Sequence, residues 1–365
     1  MSVSRVKPRL TVEIAPLLDA QWTGIPVFTR RLIRALQMSN EVELAFAFEL
    51  MRIPSSHVES ALSLGTGAFL RDAIEASSLA DATLVDPGAP LFYPSNKLHR
   101  AHLDHEASTV HDLGTLVMPE NHEAANVAHH LDHFEEELET DEAVFCISQA
   151  TRATLVTALP SVTPKTRLIY QYVDWPETFP WLERNMPRLR FGRYAVVVGT
   201  LEPRKNLGLL LKALALPRVG NSDLSFIVVG KKGWLVDSFL EALTPEQRKR
   251  VIFSGFVTEF VKYRLIANAE FLVYPSIYEG FGIPALEAMS LGKPVLAART
   301  SSFPEVVGDA GVYFDPFSED DFAEALNEIS DPRKLAELAP RAIAQNAKFS
   351  PARMAAPVIE WATVG

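Results

Sequence analysis

The sequence predicts an α/β protein built on parallel sheets, because strands followed by a glycine and a helix recur along it. The clearest copy starts with the apolar run 271–274 and continues through the loop 279–282 into a helix over 285–291. A second apolar run, 295–298, follows Gly292. Two short apolar runs joined by a helix are typical of two parallel strands.

The same pattern of strand and glycine recurs upstream. The apolar runs 194–198, 226–229 and 251–254 are followed by Gly199, Gly230 and Gly255. A glycine at the end of a parallel strand lets the backbone approach a ligand, as nucleotide-binding sheets require. Further strands are predicted over 10–14, 42–48 and 143–147. In residues 49–100 the prolines break any long element, so the pattern there predicts no clear order of strands and helices.

Length and composition predict two domains. The chain has 365 residues, of which 48% are hydrophobic and 22% charged, which is enough for two separate cores. Residues 173–193 are rich in proline and tryptophan, so we expect an interdomain linker there. A hinge at this linker would leave a cleft whose closure excludes water from a reactive substrate.

Charge and cysteine content narrow the class of protein. A net charge of −10 argues against general nucleic-acid binding, so any phosphate must meet a local basic site. The single cysteine, Cys146, lies in an apolar run and is expected to be buried, which excludes a disulfide framework. The amino-terminal residues hold no apolar segment of signal-peptide length. We therefore expect a cytoplasmic protein.

Two acidic residues flank the loop and helix that follow strand 271–274. Glu279 lies in the loop and Glu287 about one turn into the helix, so both can face one cleft. A carboxylate suits the vicinal hydroxyls of a sugar or ribose, and the amides at the helix start suit a phosphate. The pair predicts a sugar nucleotide site, although either acid alone would be typical of a solvated surface.

A basic pair follows the strand 194–198. Arg204 and Lys205 lie at the mouth of the predicted sheet, after Gly199. Adjacent arginine and lysine can stabilise the growing charge of a departing nucleoside diphosphate. Exposed basic residues after a strand are more often simply solvated.

The segment Glu279-Gly-Phe-Gly-Ile-Pro-Ala-Leu-Glu287 resembles the signature of the GT4, or group 1, retaining glycosyltransferases. Residues 275–276, 292–295 and 304–306 match that pattern in register. The resemblance is strong over 194–314, moderate over 109–170 and thin over 49–98. It implies the GT-B fold, in which two Rossmann-like domains with doubly wound parallel sheets face each other.

The resemblance also sets the expected domain boundaries. Residues 1–175 would bind the acceptor, 176–193 would link the domains and 194–349 would bind the donor. Residues 350–365 would form a helix that packs back on the first domain.

The resemblance implies a set of donor-site residues. They are Gly199, Arg204, Lys205, Phe256, Val257, Glu279, Gly280, Phe281, Gly282, Ile283 and Glu287. Arg204 and Lys205 would hold the diphosphate, Glu287 the ribose diol, and Glu279 with the neighbouring amides the donor sugar. Phe256 and Val257 would lie beside the base, with core packing as the alternative. In the resembled family, retention of the anomeric configuration is usually explained by front-side attack, so the resemblance implies no protein nucleophile.

No metal or other cofactor is expected. The chain contains no Asp-x-Asp triplet, the metal-holding motif of the other large glycosyltransferase fold. Eight of the nine histidines lie between His99 and His133, and His129 and His133 have a helical metal-ligand spacing. The Glu of an HExxH motif and a nearby cysteine are both lacking, so we interpret these histidines as surface residues.

Gly24, His111 and Asp112 are the residues predicted to lie on the acceptor side of the site. His111-Asp112-Leu113 follows a strand, and with Pro119-Glu120 it resembles the acceptor-side loop of mannosyltransferase-like members of the family. His111 would position the acceptor or the transferred sugar and contribute to catalysis with Glu279, Lys205 and Arg204. A hydrogen-bonded structural histidine is the alternative.

Arg30, Arg31 and Arg34 follow Gly24 on a predicted helix and share one side of it. In the resembled family, basic residues here often meet anionic lipid, which would place the enzyme peripherally at the inner face of the membrane. A solvated helix face is the favoured alternative.

The expected activity is transfer of a hexose from a nucleoside diphosphate sugar to a hydroxyl of a glycan or lipid-linked acceptor, in the synthesis of a polysaccharide such as an O-antigen or exopolysaccharide. Similarity to mannosyltransferases favours GDP-mannose. A nucleotide-sugar epimerase or phosphorylase of the same fold, and a non-catalytic scaffold that binds a partner, stay open. The intact Arg204, Lys205, Glu279 and Glu287 argue against the scaffold.

Overall fold

A computed structural model gives the fold of the chain. It describes residues 7–81, 83–97, 103–121, 124, 127–128, 133–214, 216, 219, 223–231 and 244–364. These residues divide into two compact units. Unit 1 comprises Met1–Tyr172 with Phe349–Gly365, and unit 2 comprises Val173–Lys348.

Unit 1 contains a sheet with helices on its connections. Its strands are β1 (Arg9–Glu13), β2 (Glu43–Phe48), β3 (Met51–Ile53), β4 (Leu91–Tyr93), β5 (Glu106–Val110), β6 (Ala143–Cys146) and β7 (Thr166–Leu168). Its helices are α1 (Ile25–Ser39), α2 (Ser55–Leu64), α3 (Leu70–Asp81), α4 (Gly114–Val117), α5 (Phe134–Thr140) and α6 (Gln149–Ala158). Short 3-10 turns occupy Ala15–Leu18, Pro119–Asn121 and Pro160–Lys165.

The strand order in unit 1 is β3-β2-β1-β4-β5-β6-β7, with β3 antiparallel and the other pairs parallel. Buried strand side chains such as Leu10, Phe92 and Phe145 form the core, as expected of a parallel sheet covered on both faces. Cys146 is fully buried, as predicted, and burial raises the pKa of its thiol to about 12.

The last helix of the chain belongs to unit 1. It spans Pro351–Thr363, is capped by Ser350, and packs against α1. Trp361 lies against the rings of Phe92 and Phe145, and its indole nitrogen donates to Glu142 at 2.9 Å. The apolar face of this last helix is therefore buried.

Unit 2 contains a second sheet. Its strands are β8 (Tyr194–Val198), β9 (Ser225–Val229), β10 (Val251–Gly255), β11 (Leu272–Tyr274), β12 (Val295–Ala298) and β13 (Gly311–Phe314). Its helices are α7 (Thr178–Asn185), α8 (Leu207–Leu214), α9 (Pro245–Arg250), α10 (Glu259–Asn268), α11 (Ile283–Ser290), α12 (Phe303–Val307), α13 (Glu319–Ile329) and α14 (Pro332–Asn346), and Pro203–Lys205 forms a 3-10 turn. The final helix in unit 1 is α15.

The strand order in unit 2 is β10-β9-β8-β11-β12-β13, and the pairs are parallel. This is the doubly wound order of the Rossmann fold, in which chain direction across the sheet reverses between the first and fourth strands. Here the reversal lies between β8 and β11, where Val196 pairs with Leu272. The fold therefore places its switch point at the carboxyl ends of these two strands.

Residues 176–193, predicted to be a linker, lie within unit 2 and hold α7. Trp175 and Phe179 pack on the ring of Tyr263, and Glu183 accepts from the guanidinium of Arg264 at 2.5 Å. These ring contacts and this ion pair attach the segment to unit 2.

No helix among the described residues is long and apolar enough to cross a membrane.

Gly199 and Gly230 bring the ends of β8 and β9 together. Gly230 has a φ of 158°, and a Cβ placed on it would lie 1.8 Å from the carbonyl oxygen of Gly199. Gly199 has a φ of 153°, and its own Cβ would lie 3.2 Å from the Lys205 side chain. Only glycine fits this close approach.

We expect Gly230→Ala to lower the free energy of unfolding by about 2 kcal/mol or more, because the new methyl group meets a backbone carbonyl that cannot move aside. Gly88→Ala is the control, since its Cβ would meet only the Asp86 carboxylate at 3.7 Å. Urea denaturation measures both. Equal stabilities for the two variants would contradict the close approach.

Candidate active site

The predicted basic and acidic residues meet at the switch point of the unit 2 sheet. Arg204 and Lys205 follow β8, and Glu279 follows β11, the neighbouring strand. The Ile277 amide donates to the Arg204 carbonyl at 2.9 Å and joins the two loops. The switch point is where open α/β sheets bind ligands.

The loop after β8 fixes the direction of the basic side chains. Residues Pro203–Lys205 form a single 3-10 turn, which ends at Asn206 in the left-handed conformation. The Asn206 side chain donates to the Pro316 carbonyl at 2.8 Å, which anchors the turn. Proline at the start and asparagine at the end suit such a turn, so the local sequence determines it.

Glu279 forms ion pairs with both cations. Lys205 Nζ donates to its Oε1 at 2.5 Å, and Arg204 Nη1 lies 3.4 Å from its Oε2. Arg204 Nε also donates to Glu202 at 3.1 Å. Lys205 Nζ lies 5.4 Å from the centre of the Tyr274 ring. The chain therefore brings together three of the four residues predicted to be catalytic.

Burial and charge compete at Glu279, which is 7% exposed. Burial alone would raise the pKa of this carboxyl, but the Lys205 and Arg204 charges outweigh it and hold the pKa below its ordinary value. Glu279 is therefore ionised at neutral pH.

The loop 279–282 turns sharply into α11. Gly282 has a φ of 94° and lies against the rings of Phe303 and Tyr274, so it closes the turn where a side chain would be strained. Ile283 then starts the helix, and Gly280 and Phe281 are buried. The loop backbone is held by hydroxyl groups that follow β12: the Glu279 amide donates to Ser301 Oγ at 3.0 Å.

Glu287 lies on the buried face of α11 and is 2% exposed. Its Oε1 accepts from Lys262 Nζ at 2.6 Å. Lys262 Nζ also lies 5.4 Å from the centre of the Trp175 ring. Sequence reasoning missed Lys262, because the helix α10 that carries it gives no local signal of its partner.

Phe256 and Val257 follow β10. Phe256 is 48% exposed, so the alternative that it packs in the core is wrong, and Val257 is half-buried. Lys231 Nζ lies 5.2 Å from the centre of the Phe256 ring.

In unit 1, His111 lies just beyond β5 with Phe28 of α1 against its ring, at 4.7 Å between ring centres. Its Nε2 is 2.6 Å from the Pro94 carbonyl oxygen. Burial lowers the pKa of His111, so the ring is neutral at neutral pH. A carbonyl only accepts, so Nε2 carries the proton and Nδ1 is an acceptor.

Gly24 precedes α1 with a φ of 54°, and its carbonyl accepts from the Phe28 amide at 3.0 Å. Asp112 is exposed, and its carboxylate accepts from the Gly114 amide at 2.9 Å. Gly24 and His111 thus share a neighbour in Phe28, whereas Asp112, beyond the end of β5, forms a local turn with Gly114.

The expectation of a basic surface on α1 is wrong for two of its three arginines. Arg31 is fully buried and Arg30 is 8% exposed. Arg34 is half-buried and donates to the Leu62 carbonyl at 3.1 Å. The helix packs against α15, and Arg30 and Arg31 are among its buried residues, so neither side chain forms a solvated or lipid-binding surface.

Within the described part of the chain, no group of three or more His, Cys, Asp or Glu residues could hold a metal ion. His99 and His129 lie outside the described residues. His133 is exposed and lies 3.4 Å from Glu136.

The family model for group 1 glycosyl transferases matches residues 190–348, which include Arg204, Lys205, Glu279 and Glu287. The O-antigen chain mannosyltransferase B of Escherichia coli is 33% identical over 271 residues, which are 72% of this chain and 69% of that relative. The chain belongs to the group 1 glycosyltransferases. It is therefore a glycosyltransferase enzyme, and its likeness is to mannosyltransferases.

Solved structures give the same fold for this glycosyltransferase. The sucrose-phosphate synthase of Thermosynechococcus elongatus aligns with a TM-score of 0.69 and 18% identity, over 97% of this chain and 98% of that one. Anabaena HepE in complex with UDP and glucose aligns with a TM-score of 0.61 and 18% identity, over 97% and 98%. The GT-B fold is thus confirmed.

We expect the ion pairs of Glu279 to appear in the pH dependence of stability. Because the folded protein depresses its pKa, Glu279 contributes stability above the ordinary value of 4.5, and this contribution is lost as pH falls through the folded value. The difference in free energy of unfolding between wild type and Glu279→Gln should therefore shrink below pH 4.5, as measured by urea denaturation. Glu246→Gln, at an exposed position on α9, serves as the control. A difference that stays constant with pH would contradict the pairing.

Proposed function

We propose that this enzyme is a retaining mannosyltransferase that transfers mannose from GDP-mannose to a hydroxyl of a glycan or lipid-linked saccharide, without a metal ion. The observation that carries the proposal is the meeting of Arg204, Lys205 and Glu279 at the switch point of the unit 2 sheet. The two cations hold one buried carboxylate, and an anionic ligand such as a diphosphate can take the place of that carboxylate as their partner.

Arg204 and Lys205 hold the donor diphosphate in this proposal. Breaking the sugar–phosphate bond leaves the negative charge on the β-phosphate, and adjacent guanidinium and ammonium groups stabilise that charge as it grows. They supply the positive charge that a metal ion supplies elsewhere, which is why we propose metal-independent transfer. Gly199 admits the phosphate because it has no Cβ to fill the space beside Lys205.

Glu279 orients the transferred sugar. Its carboxylate is ionised, and the loop residues Gly280, Phe281 and Gly282 lead from Glu279 into α11. An ionised carboxylate accepts hydrogen bonds from sugar hydroxyls, and the amides donate to the sugar or phosphate oxygens. In a front-side reaction the departing phosphate takes the proton of the attacking hydroxyl, so Glu279 positions the sugar and does not attack it.

Glu287 binds the ribose, one turn further along α11. Its buried carboxylate is aligned by Lys262, and two neighbouring hydroxyls match its two oxygens. Phe256 and Val257 lie beside the nucleotide base, at the end of β10. The exposed ring of Phe256 offers a face on which the base can stack.

His111 positions the acceptor or the transferred sugar. The neutral ring, with its Nε2 proton on the Pro94 carbonyl, presents Nδ1 as an acceptor for a hydroxyl. Gly24, without a side chain, leaves room beside α1, and Asp112 is exposed nearby in sequence.

The choice of mannose and of a polysaccharide acceptor is supported by the likeness to the O-antigen chain mannosyltransferase B, which covers 72% of this chain. The choice of a nucleoside diphosphate sugar is supported by the likeness in fold to HepE, whose structure holds UDP and glucose. GDP is our choice of nucleotide on the overall similarity to mannosyltransferases. A cytoplasmic location fits a donor of this kind.

We expect GDP-mannose to raise the melting temperature of the enzyme more than UDP, dTDP and ADP sugars do. The reason is that a ligand that binds only the folded state stabilises it, by about 2.7 kcal/mol at a hundredfold excess over its Kd. The shift should be the same with Mg²⁺ and with a chelator. If only a sugar of another nucleotide raises the melting temperature, that nucleotide and not GDP belongs to the donor. A rise that requires Mg²⁺ would contradict metal independence.

We expect Lys205→Ala to lower kcat by about a hundredfold, because it removes one cation from the departing diphosphate. Arg193→Ala is the matched control: Arg193 lies just before β8, at the other end of the same strand, and pairs with Glu270 on the surface. Transfer of labelled mannose to a saccharide acceptor measures both. Equal rates for the two variants would remove Lys205 from the mechanism.

We expect Glu279→Ala to abolish transfer while the variant remains folded, because the sugar loses the carboxylate that orients it. Circular dichroism checks the fold, and the same transfer assay checks the rate. Undiminished turnover would remove Glu279 from the mechanism.

A further inference from the structure

Three consecutive hydroxyl residues follow β12 and hold the loop that carries Glu279. Thr300 Oγ1 donates to the Ile277 carbonyl at 3.1 Å. Ser301 Oγ accepts from the Glu279 amide at 3.0 Å. Ser302 Oγ donates to the carbonyls of Glu279 and Phe281 at 3.1 and 2.9 Å. The loop backbone is therefore held at alternate residues from 277 to 281.

Ser301 adopts an unfavourable backbone conformation to make its bond. Its φ of 45° lies in the left-handed region, where a non-glycine residue is uncommon. Glycine would adopt this conformation at no steric cost but has no hydroxyl to offer. A strained residue at a ligand-binding loop points to a function that the strain serves.

We propose that Ser301 is a positioning residue for Glu279, and that its hydroxyl sets the orientation in which Glu279 meets the donor sugar. The inference rests on the proposed function, because it concerns the role of Glu279 in transfer. Ser301 does not itself touch the substrate in this account.

The contacts of Glu279 give the physical reason. Its carboxylate is held by Lys205 and Arg204, and its amide and carbonyl are held by Ser301 and Ser302. A diphosphate that binds Lys205 and Arg204 competes with the carboxylate for the same cations. When those ion pairs loosen, the backbone hydrogen bonds are what keep Glu279 in place beside the sugar.

Ser301 and Ser302 therefore act differently. Ser302 is fully buried, and its hydroxyl satisfies two carbonyls, so it contributes to the stability of the loop. Ser301 accepts from a single amide next to the reacting centre. A small shift of that centre costs rate before it costs stability.

Two substitutions separate positioning from structure. Ser301→Gly removes the hydroxyl and keeps the left-handed backbone unstrained. Ser301→Thr keeps the hydroxyl and adds a branched carbon, which is disfavoured at positive φ. The full-length enzyme is assayed for kcat and for KM of GDP-mannose, and its melting temperature is measured alongside.

The proposal predicts opposite rankings for rate and stability. Ser301→Gly should keep its melting temperature within about 3 °C of wild type and lose kcat by about tenfold or more, with KM for the donor within about threefold. Ser301→Thr should lose about 2–4 °C in melting temperature and keep kcat within about threefold. Asn40→Gly, which replaces a left-handed residue in unit 1, should leave kcat unchanged.

The reverse ranking would overturn the proposal: wild-type kcat in Ser301→Gly, or a loss of kcat in each variant in proportion to its loss of stability. The two failures are distinguishable. If wild-type enzyme transfers mannose, Glu279→Ala abolishes transfer and Ser301→Gly is fully active, only the inference about Ser301 fails. If Glu279→Ala is fully active, the proposed role of Glu279 fails and the inference fails with it.

Discussion

The ion pair between Lys205 and Glu279 is the interaction on which the candidate site depends. Both side chains are largely removed from water, so each charge needs the other: loss of one partner of a buried pair costs about 3–5 kcal/mol. Arg204, which also pairs with Glu202, adds a second cation beside Glu279, and the charges of Lys205 and Arg204 keep Glu279 ionised. A site of this kind, with two cations and one carboxylate at the end of a sheet, is suited to receive another anion.

The doubly wound order of the unit 2 sheet creates this pair. Lys205 and Glu279 are 74 residues apart in sequence, and they meet because β8 and β11 are neighbours at the switch point. Two backbone features complete the site: the glycines at the ends of β8 and β9, which allow close approach, and the hydroxyl residues after β12, which hold the loop of Glu279. The chemistry therefore follows from topology and local turns together.

Sequence reasoning could find Arg204, Lys205, Glu279 and Glu287, because the strand, glycine and helix pattern around each is local. It could not find their partners, since Lys262 and Ser301 reach the site only through the packing of α10 and β12. Three-residue strands such as β4 in the centre of the unit 1 sheet carry too few residues for a periodic pattern. The prediction for the arginines of α1 failed for a related reason: their charge suggested a surface, whereas Arg30 and Arg31 are buried in the folded unit, where α1 packs against the distant helix α15.

The most direct test of the account is a crystal structure of the enzyme with the nucleoside diphosphate that stabilises it best. We predict that the β-phosphate oxygens lie about 3 Å from Lys205 Nζ and the Arg204 guanidinium, and that the ribose hydroxyls form hydrogen bonds to the Glu287 carboxylate. A nucleotide bound elsewhere, with the pair of Lys205 and Glu279 unchanged, would contradict the account.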